Sequence, residues 1–470
     1  MRKVVFFFLI ILLSILSFNE VLAINDPTSV ENNIYGIHVA DPVDIQNAKF
    51  LVNSTGGDWG YVTLVIREDE RDLDRWQEIF DELRRKHLIP IVRLATRQDS
   101  TGWEKFHNND VDDWVYFLNS LNWVIENRYV IIGNEPNHAK EWGGELNPQE
   151  YTDVLKAFSA SLKDASEDFY ILQAGFDASA PDSKMTTSEE KYLLSMHEHD
   201  NEIFSYIDGW VSHSYPNPEF SGSEYAYGKG SIRTYEWELS FLRSLGVTKQ
   251  LPVFITETGW IHDKNEDDVL YFEPQEISSK YDHAFKEVWA KNTNIVAVTP
   301  FLLKYNEPPF DSFSWIDRNS NKYPFYESVQ KHQKVKGSPI QKVDGEILFS
   351  LTPNVIKKGD GFQGMILVKN TGESIWGEGN YQVEIKGAEK DFGSKNIISY
   401  LEPGETTLIP VEVDGKIYED FEGVIRLKFN NNRFGNTYTI DVTVTEKTTL
   451  RLLLNNLINK LVLLLDKSEN

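Results

Sequence analysis

Between Ile34 and Gln333, short apolar runs alternate with longer stretches in which apolar residues recur at three- and four-residue steps. Runs of the first kind are typical of buried parallel strands, and stretches of the second kind predict amphipathic helices. The predicted strands are Tyr35–Val39, Tyr61–Ile66, Ile89–Ala95, Tyr129–Gly133, Tyr170–Gly175, Gly209–His213, Val253–Thr256 and Ile295–Leu302. The predicted helices are Leu73–His87, Val111–Asn122, Pro148–Lys163, Glu189–Tyr206, Ile232–Leu245 and Glu276–Ala290. Eight strands that alternate with helices predict an α/β fold, a (β/α)8 TIM barrel, rather than a dinucleotide-binding open sheet, whose glycine-rich turn is missing after the first strand.

A different pattern begins after the segment K-G-S-P over 336–339, whose composition is typical of a linker. From Gly345 to Val444, apolar and polar residues alternate in short runs separated by turn signals. The predicted strands here are Ile347–Leu351, Phe362–Lys369, Tyr381–Ile385, Thr407–Val413, Gly423–Phe429 and Tyr438–Val444. Their regular spacing predicts an all-β immunoglobulin-like sandwich, and L-V-K-N-T-G-E-S-I-W over 367–376 resembles the strand, turn and tryptophan pattern of extracellular modules of that type. We therefore predict a (β/α)8 barrel over 24–336, a linker over 337–344, and a sandwich over 345–446 that serves spacing or wall attachment, with carbohydrate binding as the alternative.

The two ends of the chain carry apolar segments outside these domains. Residues 1–23 contain Arg2 and Lys3, an apolar stretch from Val4 to Phe18, and Ala23 at the expected cleavage point. This order predicts a secretory signal peptide, with an uncleaved membrane anchor as the alternative. The tail over 447–470 is rich in leucines that would share one face of a helix. That face predicts docking on the protein itself, or on a membrane surface or partner. The expected location is secreted or extracellular, with association to the cell surface through the tail.

Composition restricts the class of protein further. The chain has 470 residues, of which 41% are hydrophobic, 13% are aromatic and none is cysteine. This content supports large cores and excludes disulfides, thiolate nucleophiles and zinc–thiolate sites. The formal net charge is −25, and it becomes −26 when the segment 1–23, with two basic residues and one acidic residue, is removed. So acidic a surface repels nucleic acid and anionic lipid and favours neutral or cationic partners. A neutral polysaccharide or oligosaccharide is the expected partner.

Two of the predicted strands stop at a glutamate. The runs V-I-I-G-N-E-P over 130–136 and P-V-F-I-T-E-T-G-W over 252–260 place Glu135 and Glu257 at the ends of the fourth and seventh strands. In a (β/α)8 barrel the active site lies at the C-terminal ends of the strands. A pair of carboxyl groups there is what hydrolysis of a glycosidic bond needs; in retaining enzymes one is the general acid and the other the nucleophile. For either residue alone, helix capping or pairing with an arginine at the rim is the structural alternative.

The combination of N-E-P on the fourth strand with T-E-x-G-W on the seventh resembles the glycoside hydrolases of clan A, the cellulase-like superfamily. The resemblance covers the barrel and implies a retaining O-glycosidase without cofactor or metal. It implies that Glu135 is the acid/base, that Asn134 binds the sugar 2-hydroxyl, and that Glu257 is the nucleophile. The sixth strand ends S-H-S-Y over 212–215, which is similar to the H-x-Y of family 5 enzymes. By that resemblance Tyr215 would donate to Glu257, and His213 would contact the substrate or the acid/base.

Two more residue types are expected at this site. An arginine near the nucleophile is usual in the clan, and we favour Arg67 over Arg93 because Arg67 ends the second strand. Aromatic faces stack on sugar rings, and Trp260 is expected to line the cleft because it lies three residues after Glu257. The other tryptophans in loops after strand ends are Trp142 and Trp315.

The chain departs from family 5 at two points. Its eighth strand has no closing tryptophan, so that Phe301, Tyr305 or Trp315 would have to supply the sugar platform, and the third-strand histidine is missing. These departures leave the family within the clan open, and they keep a non-catalytic carbohydrate-binding or cell-surface scaffold protein with a vestigial barrel as the alternative function. A metal-dependent hydrolase is disfavoured because the first strand offers His38 alone instead of an H-x-H pair. A Schiff-base lyase is disfavoured because Lys304 lacks partners.

Overall fold

A computed structural model describes residues 24–447, apart from 101, 263–271, 388–390, 398–399 and 414–415, together with 450 and 454. The chain divides into two compact units, one formed by 1–121 and 127–339 and the other by 122–126 and 340–470. The predicted signal peptide over 1–23 and nearly all of the leucine-rich tail lie outside the described residues. Within the described part, no helix combines the length and the apolar character that a membrane crossing requires.

The first unit contains a ring of parallel strands. They are β1 (Gly36–Val39), β2 (Gly60–Arg67), β3 (Leu88–Ala95), β4 (Arg128–Ile132), β5 (Phe169–Gln173), β6 (Trp210–His213), β7 (Val253–Glu257) and β8 (Ile295–Val298). Strands β1 to β5 form one sheet in that order, and β6 to β8 form another. Parallel bridges from Leu172 to Gly209 and from Tyr35 to Val298 join the two sheets at both edges and close the ring. This arrangement fits the predicted TIM-like barrel.

Helices alternate with these strands. They are α1 (Ile45–Val52), α2 (Leu73–Arg85), α3 (Val111–Ser120), α4 (Pro148–Ala165), α5 (Glu189–His199), α6 (Thr234–Ser244), α7 (Pro274–His283) and α8 (Pro324–Gln330). In α2, Asp72 caps the first turn by accepting the N–H of Arg75 at 2.8 Å. One stripe of this helix is buried, and it consists of Trp76, Ile79, Phe80 and Leu83. The amphipathic period that predicted the helix is therefore the period that packs it.

Some boundaries differ from those predicted. Helix α5 ends at His199 instead of Tyr206, and α7 ends at His283, where a π-helical turn follows. Strand β8 stops at Val298 instead of Leu302. A proline, Pro300, lies inside the predicted run, and it has no N–H to contribute to a ladder. Helices α1 and α8 were not predicted.

Aromatic rings fill the barrel interior beneath its C-terminal mouth. The ring of Tyr129 contacts Tyr61 at 6.3 Å, Tyr170 at 5.1 Å and Phe254 at 5.0 Å between centroids. These residues come from four different strands on several sides of the ring, so their contacts cross its interior. Each is at most 2% exposed. The floor is therefore packed, and the mouth is the part of the barrel that is left for a site.

The second unit consists mainly of strands. They are β9 (Gly345–Ser350), β10 (Val355–Lys357), β11 (Phe362–Asn370), β12 (Tyr381–Gly387), β13 (Asp391–Asn396), β14 (Thr406–Val413), β15 (Phe421–Phe429) and β16 (Asn432–Thr445). One sheet has the order β10-β16-β15-β12-β13 and the other β14-β11-β9. Side chains from both sheets, such as Ile366 and Ile425, share one buried core with Trp376. Two sheets on a common core fit an all-β sandwich, and its immunoglobulin-like class stays a prediction.

Candidate active site

The two predicted glutamates stand at the mouth of the barrel, but their strands present them differently. Glu257 is the last residue of β7. Strand β4 ends at Ile132, and Glu135 follows in a turn where Gly133 has φ of 87° and Glu135 has φ of 30°. The N–H of Glu135 donates to the carbonyl of Gly175 at 3.0 Å, which fixes the turn. Such a backbone conformation costs a residue other than glycine about 1–3 kcal/mol, and conformations of this kind concentrate at functional sites.

The two carboxyl groups approach each other with His213 between them. Nδ1 of His213 lies 2.9 Å from Oε1 of Glu135 and 3.9 Å from Oε2 of Glu257. One oxygen of each glutamate and one ring nitrogen of His213 all lie within 4.8 Å of one another. Strands β4, β6 and β7 thus bring together three residues that are far apart in sequence.

Glu257 is surrounded by groups that favour its ionised form. Arg93 donates from Nη1 to Oε1 of Glu257 at 2.8 Å, and the Tyr215 hydroxyl donates to Oε2 at 3.1 Å. Burial raises the pKa of the Glu257 carboxyl, but the positive charges of His213 and Arg93 lower it by more, so the pKa lies below its ordinary value. Burial raises the pKa of Tyr215 well above its usual range, and the charge of Glu257 acts in the same direction, so the hydroxyl keeps its proton. Glu257 is therefore a carboxylate at neutral pH.

His213 is held between the carboxylates and the backbone. It is 3% exposed, and its ring lies against Gly175, the second residue after β5. A Cβ atom on Gly175 would lie 2.2 Å from Cδ2 of His213, so a side chain there would displace the ring. Burial lowers the pKa of His213, but the charges of Glu257 and Glu135 raise it, and the pKa ends above the ordinary value. His213 therefore retains its proton to higher pH than a free histidine.

Asn134 completes the group on the other side of Glu135. Its Oδ1 accepts a hydrogen bond from Arg93, and its Nδ2 donates to Oε2 of Glu141 at 3.2 Å. Because arginine only donates, these two bonds define which way the amide faces. Burial raises the pKa of Glu141, and the charge of Glu135 adds to the effect. Glu141 was not predicted, since an acidic residue in a loop carries no signal of its own.

The expectation for the arginine is corrected by the structure. Arg67 forms its ion pair with Asp69 at 2.6 Å and stands 35% exposed, while Arg93 contacts Glu257. Strand register explains the difference, because Arg93 pairs with Val65 and so lies two positions deeper in the barrel than Arg67. Position at the end of a strand was the wrong criterion for choosing the arginine beside Glu257, and depth within the barrel was the right one.

The expectation for Trp260 is also corrected. Its side chain is 2% exposed, its Nε1 donates to the carbonyl of Gly222 at 2.8 Å, and Tyr281 packs edge-on against it at 5.1 Å. Because its N–H is already paired and Tyr281 packs against the ring, Trp260 is a packing residue. Trp142 and Trp315 are each 1% exposed and are equally buried.

Phenylalanines, instead of tryptophans, line one side of the site. Phe301 lies edge-on to His38 at 5.1 Å and to Phe313 at 5.7 Å. Phe313 contacts Phe220 at 5.0 Å, and Phe220 contacts Tyr215 at 4.9 Å. These rings form a continuous aromatic wall that ends at the tyrosine bonded to Glu257. Phe301 follows the eighth strand, where family 5 enzymes carry the tryptophan that this chain lacks.

The same cluster of Glu135, His213 and Glu257 offers ligand atoms that could hold a metal ion. However, both oxygens of Glu257 already accept hydrogen bonds, one from Arg93 and one from Tyr215. A cation bound there would be repelled by the guanidinium. The donors around Glu257 suit a free carboxylate better than a metal ligand, and a metal-free site stays a prediction.

Comparisons with known proteins place the chain among remote neighbours. No protein-family model matches it, and no curated protein matches it. The structure is similar to the endo-β-1,4-mannanase of Thermotoga petrophila, with 10% identity, a TM-score of 0.42, and coverage of 90% of this chain and 100% of that one. It is similar to a β-glucuronidase of Bacteroides uniformis, with 11% identity, a TM-score of 0.41, and coverage of 88% and 46%. It is similar to the α-L-arabinofuranosidase of Thermotoga maritima, with 10% identity, a TM-score of 0.38, and coverage of 78% and 76%. All three neighbours are glycoside hydrolases, but likeness this remote does not assign the chain to a family.

Proposed function

We propose that the protein is a retaining O-glycoside hydrolase that acts on a neutral polysaccharide or oligosaccharide. The observation that carries the proposal is the approach of Glu135 and Glu257, whose nearest oxygens lie within 4.8 Å at the barrel mouth. Retaining glycosidases hold their carboxyl groups about 5–5.5 Å apart, whereas inverting enzymes leave about 6.5–9.5 Å for a water molecule. The short separation therefore supports double displacement.

The surroundings of the two carboxyl groups suggest which role each one takes. Glu257, held ionised by Arg93 and Tyr215, attacks the anomeric carbon and forms a glycosyl ester. Glu135 gives a proton to the glycosidic oxygen as that bond breaks. In the second step Glu135 takes a proton from water, the water attacks the anomeric carbon, and Glu257 leaves as a carboxylate. Both steps balance without a cofactor.

Two substitutions test the assignment. Glu257→Gln and Glu135→Gln keep the shape of each side chain but remove nucleophile and acid/base, so each should lower kcat on the order of 10³-fold or more. Glu70→Gln is the matched control, because Glu70 lies in the loop after β2 and pairs with Arg67 outside the cluster. The assay uses a panel of p-nitrophenyl β-D-glycosides together with β-1,4-mannan, β-1,4-glucan, β-1,3-glucan and xylan.

The stereochemical outcome provides an independent test. Proton NMR of the first product formed should show the β-anomer, as double displacement requires. An α-anomer would contradict the retaining mechanism. A wild-type protein that binds a glycan of the panel without hydrolysing any of them would favour the scaffold function instead.

We also propose that the protein acts outside the cell. The proposal is supported by the composition of residues 1–23, by the absence of cysteine and by a net charge of −26 over the remainder. Mass spectrometry of the protein from its native host should find Ala23 removed together with the residues before it. An intact N-terminus would contradict a cleaved signal. For the second unit we propose spacing or wall attachment, and loss of polysaccharide binding on its deletion would contradict that role.

A further inference from the structure

His38 is a buried histidine, the last residue but one of β1, and it points into the barrel. It pairs in register with Thr63 of β2, and Tyr61 lies two residues before Thr63. Side chains at paired positions in parallel strands share a face, and so do residues two apart in one strand. Tyr61 faces the barrel interior, where it meets Tyr129. His38 therefore also faces the interior, nearer to the mouth.

The ring of His38 is enclosed but has no hydrogen-bond partner among the described residues. The residue is 3% exposed, and neither Nδ1 nor Nε2 finds a donor or acceptor within the described part of the chain. Its backbone is fixed, because its N–H donates to Pro300 and its carbonyl accepts from Leu303, at 3.0 and 2.8 Å. Phe301 packs edge-on against the ring. A buried polar group without a partner costs free energy and is rare in native proteins.

The charge state of the ring limits what it can bind. Burial lowers the pKa of His38 to about 3, and the charge of Arg93 acts in the same direction, while Glu257 opposes them. The imidazole is therefore neutral at neutral pH, with one nitrogen that donates and one that accepts. A hydroxyl group both donates and accepts, whereas a carboxylate only accepts and an ammonium only donates. The chemistry of the orphaned ring thus matches a sugar hydroxyl.

We propose that His38 is a substrate-binding residue that contacts a hydroxyl of the sugar unit lying over Glu257. The proposal rests on the hydrolase function proposed above. It is carried by two features of the geometry. The ring nitrogens of His38 are unpartnered among the described residues, and the ring packs on Phe301, where the aromatic wall begins that ends at Tyr215, the tyrosine bonded to Glu257. Phe301 packs edge-on against the His38 ring, and this contact restricts rotation of the ring.

A double-mutant cycle between protein and substrate tests this contact. The probes are the p-nitrophenyl glycoside of the panel with the highest kcat/KM and its monodeoxy analogues at the hydroxyls that remain after glycoside formation. His38→Phe keeps a ring against Phe301 and removes both nitrogens. It should lower kcat/KM for the parent substrate about 10- to 100-fold. At one deoxy position the wild type should show a comparable loss, while the variant shows no more than about a twofold loss.

The other deoxy positions serve as internal controls, because their losses should be equal in wild type and variant. If each deoxy substrate loses the same factor in kcat/KM with the variant as with the wild type, at every position, His38 contacts no hydroxyl. The proposal is then overturned in favour of a histidine that bonds water. His38→Gln, which keeps one donor and one acceptor, should recover part of the lost kcat/KM. A purely structural role would give no such position-specific coupling.

A second measurement applies even where the phenylalanine variant fails to fold. A crystal structure of Glu257→Gln with the best oligosaccharide of the panel should place a sugar oxygen within about 3.2 Å of a His38 ring nitrogen. A water molecule in that place would overturn the proposal. The two proposals fail differently. If the wild type hydrolyses a glycan and Glu257→Gln does not, the proposed function stands, whatever the cycle shows for His38. A wild type that hydrolyses no glycan of the panel removes both.

Discussion

The contact between Gly175 and His213 gives a sharp test of how the site is held together. Replacing Gly175 with alanine would put a Cβ 2.2 Å from Cδ2 and 2.4 Å from Nε2 of the His213 ring. The φ angle of Gly175 lies outside the left-handed region, so alanine fits its backbone conformation. The perturbation is therefore a clash with the His213 ring of the candidate site, with no backbone strain added.

The size of the effect follows from these distances. Non-bonded carbon atoms settle about 3.5–4.0 Å apart, so the ring must move by more than about 1 Å. The 2.9 Å contact from Nδ1 to Glu135 cannot survive such a shift. A misplacement of about 1 Å at a reacting centre lowers activity on the order of 10²-fold, and overpacking a buried site costs about 1–3 kcal/mol. We expect Gly175→Ala to lose about 100-fold in kcat/KM and to remain folded.

The assay is a cycle of four proteins: wild type, Gly175→Ala, His213→Ala and the double variant. Activity is measured as kcat/KM on the best glycoside of the panel, and stability by urea unfolding. Because the clash needs the ring, Gly175→Ala should cost less than about twofold when His213 is already alanine. Gly57→Ala is the control for overpacking away from the mouth, because its Cβ would lie 2.9 Å from Cβ of the buried Lys334 side chain. The Nζ of Lys334 is held by four hydrogen bonds, so this variant should lose stability but keep its kcat/KM. Equal losses in both backgrounds would refute the reasoning.

Two further predictions concern charge. Arg93→Met removes a cation that lowers the pKa of Glu257, so the acid limb of the kcat/KM–pH profile should move up by about 1–3 pH units. Arg67→Met should leave that limb in place, because Arg67 pairs with Asp69 instead. Equal shifts in both variants would contradict the assignment of Arg93 as the arginine beside Glu257. Glu189 and Glu238 are both fully buried, and burial raises the pKa of each carboxyl, so the folded state holds protons that the unfolded state releases. Stability should therefore fall as pH rises from 5 to 8. Glu189→Gln should reduce that fall by about 1.4 kcal/mol per unit of pKa shift, measured by urea unfolding at each pH. If the free energy of unfolding depends on pH in the same way in wild type and variant, burial of Glu189 does not raise its pKa.

The barrel and its pair of glutamates could be predicted because one physical cause governs both. Parallel strands buried on both faces appear as continuous apolar runs, and their first polar residues fall at the C-terminal edge. Val130 to Ile132 and Val253 to Thr256 are such runs, so Glu135 and Glu257 were placed at one rim before any distance was known. Closure of the ring then makes strands β4 and β7 face each other across the mouth.

The failures share a different cause, which is that spacing along the chain does not encode depth or loop direction. Arg67 ends β2 and Arg93 lies inside β3, and only the strand register shows that Arg93 is the arginine deep enough to reach Glu257. Trp260 follows Glu257 closely, yet its loop turns the indole toward Gly222. His38 was considered only as half of a metal pair. Its relevance emerges from two unpartnered nitrogens, which no sequence pattern reports.

The roles proposed for the two carboxyl groups rest on the difference between their partners. Glu257 accepts hydrogen bonds from a guanidinium and a hydroxyl. Both bonds are strongest to the ionised carboxylate and weaken if the carboxylate is protonated. Glu135 has His213 as its side-chain neighbour and a backbone turn that sets its position. In the proposed mechanism Glu257 becomes an ester and loses its negative charge, which is the strongest influence that raises the pKa of His213. The histidine then becomes more acidic at the step where Glu135 must accept a proton from water. The protonation of His213 therefore depends on the progress of the reaction at Glu257.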